Sequence, residues 1–164
     1  MNIRNYTWRG AILLFAGAWI GILVFLAYGV AGTIFRNLDS KTIAGYINGL
    51  ILVRMNHLEY LCAALIVVSS FVLYRRQKTL WSRVRGVVSG VMLINLFFYA
   101  DFITPQMTML KEKIVDFDQY AKENDPRPER KEFDAWHRRY SALVGFNIVL
   151  ALWVVGLTLR ERDE

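Results

Sequence analysis

Ala11–Phe35 reads AILLFAGAWIGILVFLAYGVAGTIF, 25 residues without a charged side chain. A bilayer core about 30 Å thick is crossed by roughly 20 mostly apolar helical residues, so this stretch is long enough to span one. Three more such stretches follow. Tyr60–Tyr74 carries no charge and its apolar character begins near Met55, Gly86–Thr104 carries only Asp101, and Ser141–Leu159 carries none. The expected spans are therefore about 11–35, 55–74, 86–104 and 141–159. The expected fold class is all-α: a single integral membrane domain, 1–164, forming a four-transmembrane-helix bundle with amphipathic helical extensions on the extracytoplasmic side.

The charge distribution agrees. Hydrophobic residues make up 55% of the chain, and the charges gather in the connections, whereas a soluble bundle carries a charged face on every helix. A net charge of +6 invites a nucleic-acid reading, but Arg75, Arg76, Lys78, Arg83 and Arg85 in the connection 75–85 supply five of those charges without a neighbouring acid. Lys and Arg in a short loop are the cytoplasmic signature of a membrane protein, so the expected partner is the lipid bilayer, with no nucleic acid. A cytoplasmic 75–85 loop in a four-span chain places both termini inside, where Arg4, Arg9, Arg160 and Arg162 lie. The expected location is a bacterial cytoplasmic (inner) membrane. The apolar run after Arg9 is too long for a signal-peptide core and reads as an uncleaved first helix. The single cysteine, Cys62, excludes an intrachain disulfide and reads as a small packing residue.

The connections 36–56 and 105–140 then lie outside, the second with eight basic and eight acidic residues. Asp39 or Ser40 can cap a helix through Thr42–Val53, which is either an interfacial helix or an outer extension of the second span. From Pro105, Met107, Leu110, Ile114 and Phe117 recur at helical steps and predict an amphipathic helix over 106–124. Asn124–Pro128 breaks it, and Pro128 suits the first turn of a helix, 129–139, that continues into the fourth span. Gly17/Gly21, Gly45/Gly49 and Gly86/Gly90 have the spacing that lets membrane helices approach closely. Tight packing inside the bundle is the plain use; homo-oligomerisation through Gly17 and Gly21 is the sharper one.

Polar residues within spans carry the functional information, because lipid-facing polarity is costly. Measured at about 1.5 Å per residue from Arg75 and Arg85, Glu59 and Asp101 both stand about 24 Å above the inner boundary, with Asn147 at about 20 Å and Ser141 at about 28 Å from Arg160. His137 falls just above. Met55, Glu59, Cys62, Ile66 and Ser70 share a face of the second helix, with His57 nearly opposite Glu59. Phe133, His137, Ser141, Val144 and Ile148 share a face of the fourth, with Tyr140 and Asn147 at its edge, and this face is expected to turn inward. Glu59, Asp101, His137, Ser141 and Asn147 are thus the candidate ligand-binding residues of an outward-facing polar pocket for a small ligand, a cation or a lipid headgroup. The carboxylates would supply charge, His137 a titrating nitrogen, and Ser141 and Asn147 orienting hydrogen bonds. The alternative is packing, with Glu59 and Asp101 paired to Arg54, Arg138 or Arg139 and Asn147 bonded across helices. Below Asn95 and Asn147 the inner halves look like plain apolar packing, with Ser69, Ser70 and Ser89 as the only polar steps, so an ion-transport path looks incomplete.

Two histidines in a bundle allow a bis-histidine haem, and Met55, Met107 and Met109 with His57 and His137 allow a soft-metal copper site. Neither is adopted, and no cofactor is expected. No nucleophile–base pair, phosphate loop or zinc motif is present, so a non-enzymatic module is expected. An interaction protein that docks a partner on the outer helices through Met107, Leu110 and Ile114 is the second reading.

Three segments carry a family resemblance. The fourth helix reads Phe133-x-x-x-His137-x-x-x-Ser141-x-x-x-x-x-Asn147. The first span ends in Gly29–Phe35 and is followed by a capped helix with Ala44-Gly45 and the second span near Glu59. The third span passes into Ile103-Thr104-Pro105-Gln106-Met107-Thr108. Together they resemble the transmembrane protein 205-like family of small four-helix membrane proteins, whose bacterial members are catalogued as a domain of unknown function, over roughly 10–159. The resemblance implies a four-span bundle and supplies no activity. Gln106 stands after the proline where the pattern has Arg, so an anion contact at that place is not carried over.

Overall fold

The computed structural model describes residues 3–161. Four long helical rods account for nearly all of them, with no strand among the described residues. The first, α1, runs as α-helix over Ile3–Val24, widens to a π-helix over Phe25–Ala31 and returns to α-helix over Gly32–Asn37. The second, α2, is unbroken over Lys41–Gln77. The third, α3, is α-helical over Leu80–Phe97, π-helical over Phe98–Ile103 and α-helical again over Thr104–Ile114. The fourth, α4, is Pro128–Arg160. Each rod is long and apolar enough to cross a membrane. They pack antiparallel in a ring, α1 on α2, α2 on α3, α3 on α4 and α4 back on α1.

The surface bears out the membrane reading. Leu14, Leu61, Val87, Ile94, Phe97 and Leu152 are all more than half exposed, while Glu59, Arg85, Ser89 and Asn147 are buried. A soluble chain rarely exposes apolar surface so continuously; a bilayer covers it.

The 75–85 stretch is not a loop. α2 continues through Arg75 and Arg76 to Gln77, and α3 begins at Leu80, so only Lys78 and Thr79 connect them. Lys78 takes the left-handed conformation, φ 52°, that ends a helix. Thr79 caps α3 by accepting from the Ser82 N–H at 3.1 Å. The basic residues of this end therefore sit on helix termini, where Arg75 and Arg76 complement the negative end of α2.

At the other end the amphipathic helix is shorter than its pattern. Met107, Leu110 and Ile114 are buried, but the helix stops at Ile114 because Val115 turns to φ 60°. The chain beyond is drawn away to cap α2: Asp118 accepts from the Ser40 hydroxyl at 2.6 Å and from the N–H groups of Lys41 and Thr42 at 2.7 and 3.2 Å. Those N–H groups have no partner inside the helix, and together they hold the Asp118 carboxyl well below its ordinary range, at about 2. Arg127 ties the far side. It donates to both oxygens of Asp125 and to the carbonyls of Ile114 and Asp116, each at 2.9 Å or less, and keeps the Asp125 carboxyl at about 2. Segment 115–127 is thus a braced collar.

The π-helical turn of α3 has a chemical cause. Pro105 lacks an N–H and its ring crowds the carbonyl four residues earlier. The chain widens ahead of it, and the Thr104 N–H reaches back to the carbonyl of Tyr99, which the Thr104 hydroxyl also meets at 2.9 Å. In α1 the widened turn lays the Phe25 ring over Gly29, where a side-chain carbon would come within 2.8 Å of it.

Candidate functional site

The polar interior begins at Glu59, which is fully buried although it belongs to a membrane-spanning helix. Its oxygen Oε2 accepts from the Trp19 indole N–H of α1 at 2.8 Å and from the Tyr99 hydroxyl of α3. With the Asn56 amide oriented to satisfy both its ends, Asn56 donates to Oε1 at 3.3 Å and to the Leu52 carbonyl. Tyr140 of α4 packs edge-on against Tyr99, ring centres 5.4 Å apart. All four helices therefore meet around one carboxylate, and its hydrogen-bond partners are neutral donors.

Directly beside this hub, Asn147 of α4 and Asn95 of α3 cross-bond. Asn95 donates to Asn147 Oδ1 and to the Leu143 carbonyl, both at 2.9 Å, and Asn147 donates to the Met92 carbonyl at 3.3 Å. The Asn147 amide also lies against the Tyr99 hydroxyl.

The five candidate residues do not converge. Glu59 and Asn147 enter the interior as expected. Asp101 stands at the height of Tyr60, whose hydroxyl donates to it, but it is exposed. Its height therefore agrees with the helical-rise estimate and its facing does not place it with Glu59. His137 and Ser141 are also exposed. Ser141 donates to the carbonyl of His137, four residues earlier, at 2.9 Å, and the His137 ring stacks on Phe133. The inward face of α4 is the one centred on Tyr140, Asn147, Ala151, Val154 and Thr158, so the residues read as the edge of the polar face are its centre. Among the described residues neither carboxylate forms an ion pair with Arg54, Arg138 or Arg139. No group of three or more His, Cys, Asp or Glu among them is placed to hold a metal ion.

The inner half is not plain apolar packing. Arg85 and Glu161, both nearly inaccessible, form an ion pair at the foot of the bundle. Thr79 donates to the same carboxylate at 2.6 Å. With its amide suitably oriented, Gln77 donates to it at 3.0 Å and accepts from Arg9 at 3.1 Å, which brings in α1 and α2. Between the foot and the asparagine pair, the Ser70 and Ser89 hydroxyls face each other at 3.2 Å. A sequence signal for this seam exists. Ser82, Arg85, Ser89, Met92, Leu96 and Tyr99 recur at alternating steps of three and four, which is one helix face, and every one of them is buried.

A family model for a domain of unknown function, DUF4149, matches residues 14–115. The chain belongs to the DUF4149 family. No curated protein and no solved structure matches it. The DUF4149 match takes in Trp19, Asn56, Glu59, Asn95, Tyr99 and Asp101, so the carboxylate and its three buried donors lie on helices of the family domain. Tyr140, Asn147 and Glu161 lie beyond the DUF4149 match, on the rod that closes the ring.

Proposed function

We propose that this is a non-enzymatic membrane module whose working centre is a proton-binding carboxylate, Glu59. The observation that supports it is the burial of Glu59 among Trp19, Tyr99 and Asn56 without a cation among the described residues. Intramembrane ionisable groups of this kind are functional by default. Asn56 suits both states of the carboxyl group. Its N–H end donates to the ionised group; after rotation its carbonyl accepts the O–H of the protonated one.

Infrared spectra of the reconstituted protein test this. A carboxylic-acid carbonyl band that grows as pH falls, and that Glu59→Gln removes, is the expected result. Spectra in which Glu59→Gln changes no titrating band overturn it.

The finer placement rests on sequence pattern. The basic residues at Arg75–Arg85 favour a cytoplasmic foot with both termini inside, in a bacterial inner membrane, and the segments already quoted favour a place among the transmembrane protein 205-like proteins. We also propose homo-oligomerisation through Gly17 and Gly21. Both are exposed, and a side-chain carbon at either would meet nothing within 4 Å, so they do not serve packing inside the bundle. A partner docked on Met107, Leu110 and Ile114 is disfavoured, because that face is already buried within the bundle.

A further inference from the structure

We propose that Asp101 and the aromatic rings around it form a binding site for the ammonium group of a lipid headgroup, separate from the Glu59 centre. Asp101 is an exposed carboxylate on a membrane-spanning helix. It lies 16 residues beyond Arg85, about 24 Å along the helix, close to the far boundary of a core about 30 Å thick. A carboxylate facing lipid at that depth needs a cation, and among the described residues it has none. Its Oδ2 accepts from the Tyr60 hydroxyl, and its Oδ1 has no donor among the described residues.

The rings make the chemistry specific. Tyr60 packs edge-on against Phe97, centres 6.5 Å apart. Phe98 stacks on Phe102 at 5.2 Å and 22°. Phe97, Phe98 and Phe102 are each about half exposed or more, at 63%, 48% and 48%. Residues four apart lie one turn apart on a helix, so Phe97 stands below Asp101 and Phe98 below Phe102. A carboxylate flanked by aromatic faces is the arrangement that recognises ammonium groups. An anionic headgroup would be repelled, and an uncharged one would leave the carboxylate uncompensated.

The test is native mass spectrometry of the full chain released from vesicles of equal phosphatidylethanolamine and phosphatidylglycerol. The expected result is retention of the amine-bearing lipid by about fivefold over the other, the size of a cation–aromatic contact at an exposed position. Asp101→Asn should abolish the preference, Phe102→Leu should reduce it, and Glu59→Gln should leave it intact, which separates this site from the Glu59 centre. Loss of the lipid adduct in millimolar free ethanolamine would reassign the site to a soluble amine and overturn the lipid source. Equal retention of both lipids, or a preference that survives Asp101→Asn and Phe102→Leu, overturns the site. So does a dimer that Asp101→Asn dissolves, because the cation would then come from a second copy.

Discussion

Arg85 and Glu161 form a buried ion pair that fastens the foot of α3 to the last turn of α4. The guanidinium has no exposed surface, and among the described residues its Nε and Nη2 atoms have no hydrogen-bond partner. The pair is therefore expensive to break on one side. Arg85→Met or Glu161→Leu alone should destabilise the bundle by about 3–5 kcal/mol, because each leaves a buried charge uncompensated. Arg85→Met combined with Glu161→Leu should cost much less than the sum of the single changes. Denaturation of the four proteins in one detergent, treated as a double-mutant cycle, measures the difference.

Trp19→Phe removes a donor from Glu59 without changing the shape of the site much. The lost hydrogen bond to a charged acceptor should cost about 1.5–3 kcal/mol. The same change in a Glu59→Leu background should be nearly silent. Unfolding free energies in the two backgrounds decide whether the indole acts through the carboxylate.

Asparagine bonds between membrane helices are worth less. Asn147→Leu should destabilise by about 0.6 kcal/mol and by no more than about 1.7 kcal/mol, because the unfolded chain in lipid also finds polar partners. A loss well beyond that, read from the same denaturation, would mean that the Asn95–Asn147 bond also holds up the neighbouring Tyr99.

Strong acid should loosen the collar. The Asp118 carboxyl is lowered from 3.8 to about 2 by the donors that cap α2. A depressed carboxylate contributes its full stabilisation above the unfolded value and loses it as pH falls through the folded one. The protection of the Lys41 and Thr42 amides from hydrogen exchange should therefore fall between about pH 4 and pH 2. In Asp118→Asn the protection should be low already at neutral pH.

Cys62 is the single cysteine of the chain and is buried, so cross-linking has a low background. Gly17→Cys and Gly21→Cys should form disulfide-linked dimers in membranes, whereas Gly86→Cys should not. Monomer alone at both positions would remove the proposed oligomer face.

The four rods were legible because a bilayer imposes length and composition together, and Ala11–Phe35 shows both. The heights of Glu59 and Asp101 were legible too, because helical rise is nearly constant. Facing was not. On α3 the buried face runs at steps of three and four through Leu96, Tyr99 and Ile103, so Asp101 points away from it, which its height alone does not reveal. On α4, a stripe of His137 and Ser141 looked like the polar face, yet a collar-end residue can be polar because it meets headgroups and water. Arg85 was hidden by its neighbours. Counted with Arg75, Arg76, Lys78 and Arg83 it passes as loop charge, and only its phase with Ser82 and Ser89 separates it from them. The Glu161 partner lies 76 residues away, beyond any local pattern.

The connections differ in length, and this sets which rod is free to move. Three residues, Leu38–Ser40, join α1 to α2, and two, Lys78–Thr79, join α2 to α3. Those three rods are hinged on short covalent turns at alternate ends and can do little but rock together. α4 is joined through the long collar, and its foot is gripped by side chains, with the Glu161 carboxylate held by Arg85, Thr79 and Gln77. Release of that grip, together with the ties that Asp118 and Arg127 make in the collar, would let α4 tilt or slide while the other three stay in register. The fourth rod would then behave as a bolt in a three-sided frame, and its displacement would carry Asn147 and Tyr140 away from Tyr99, uncovering the Glu59 carboxylate from the side.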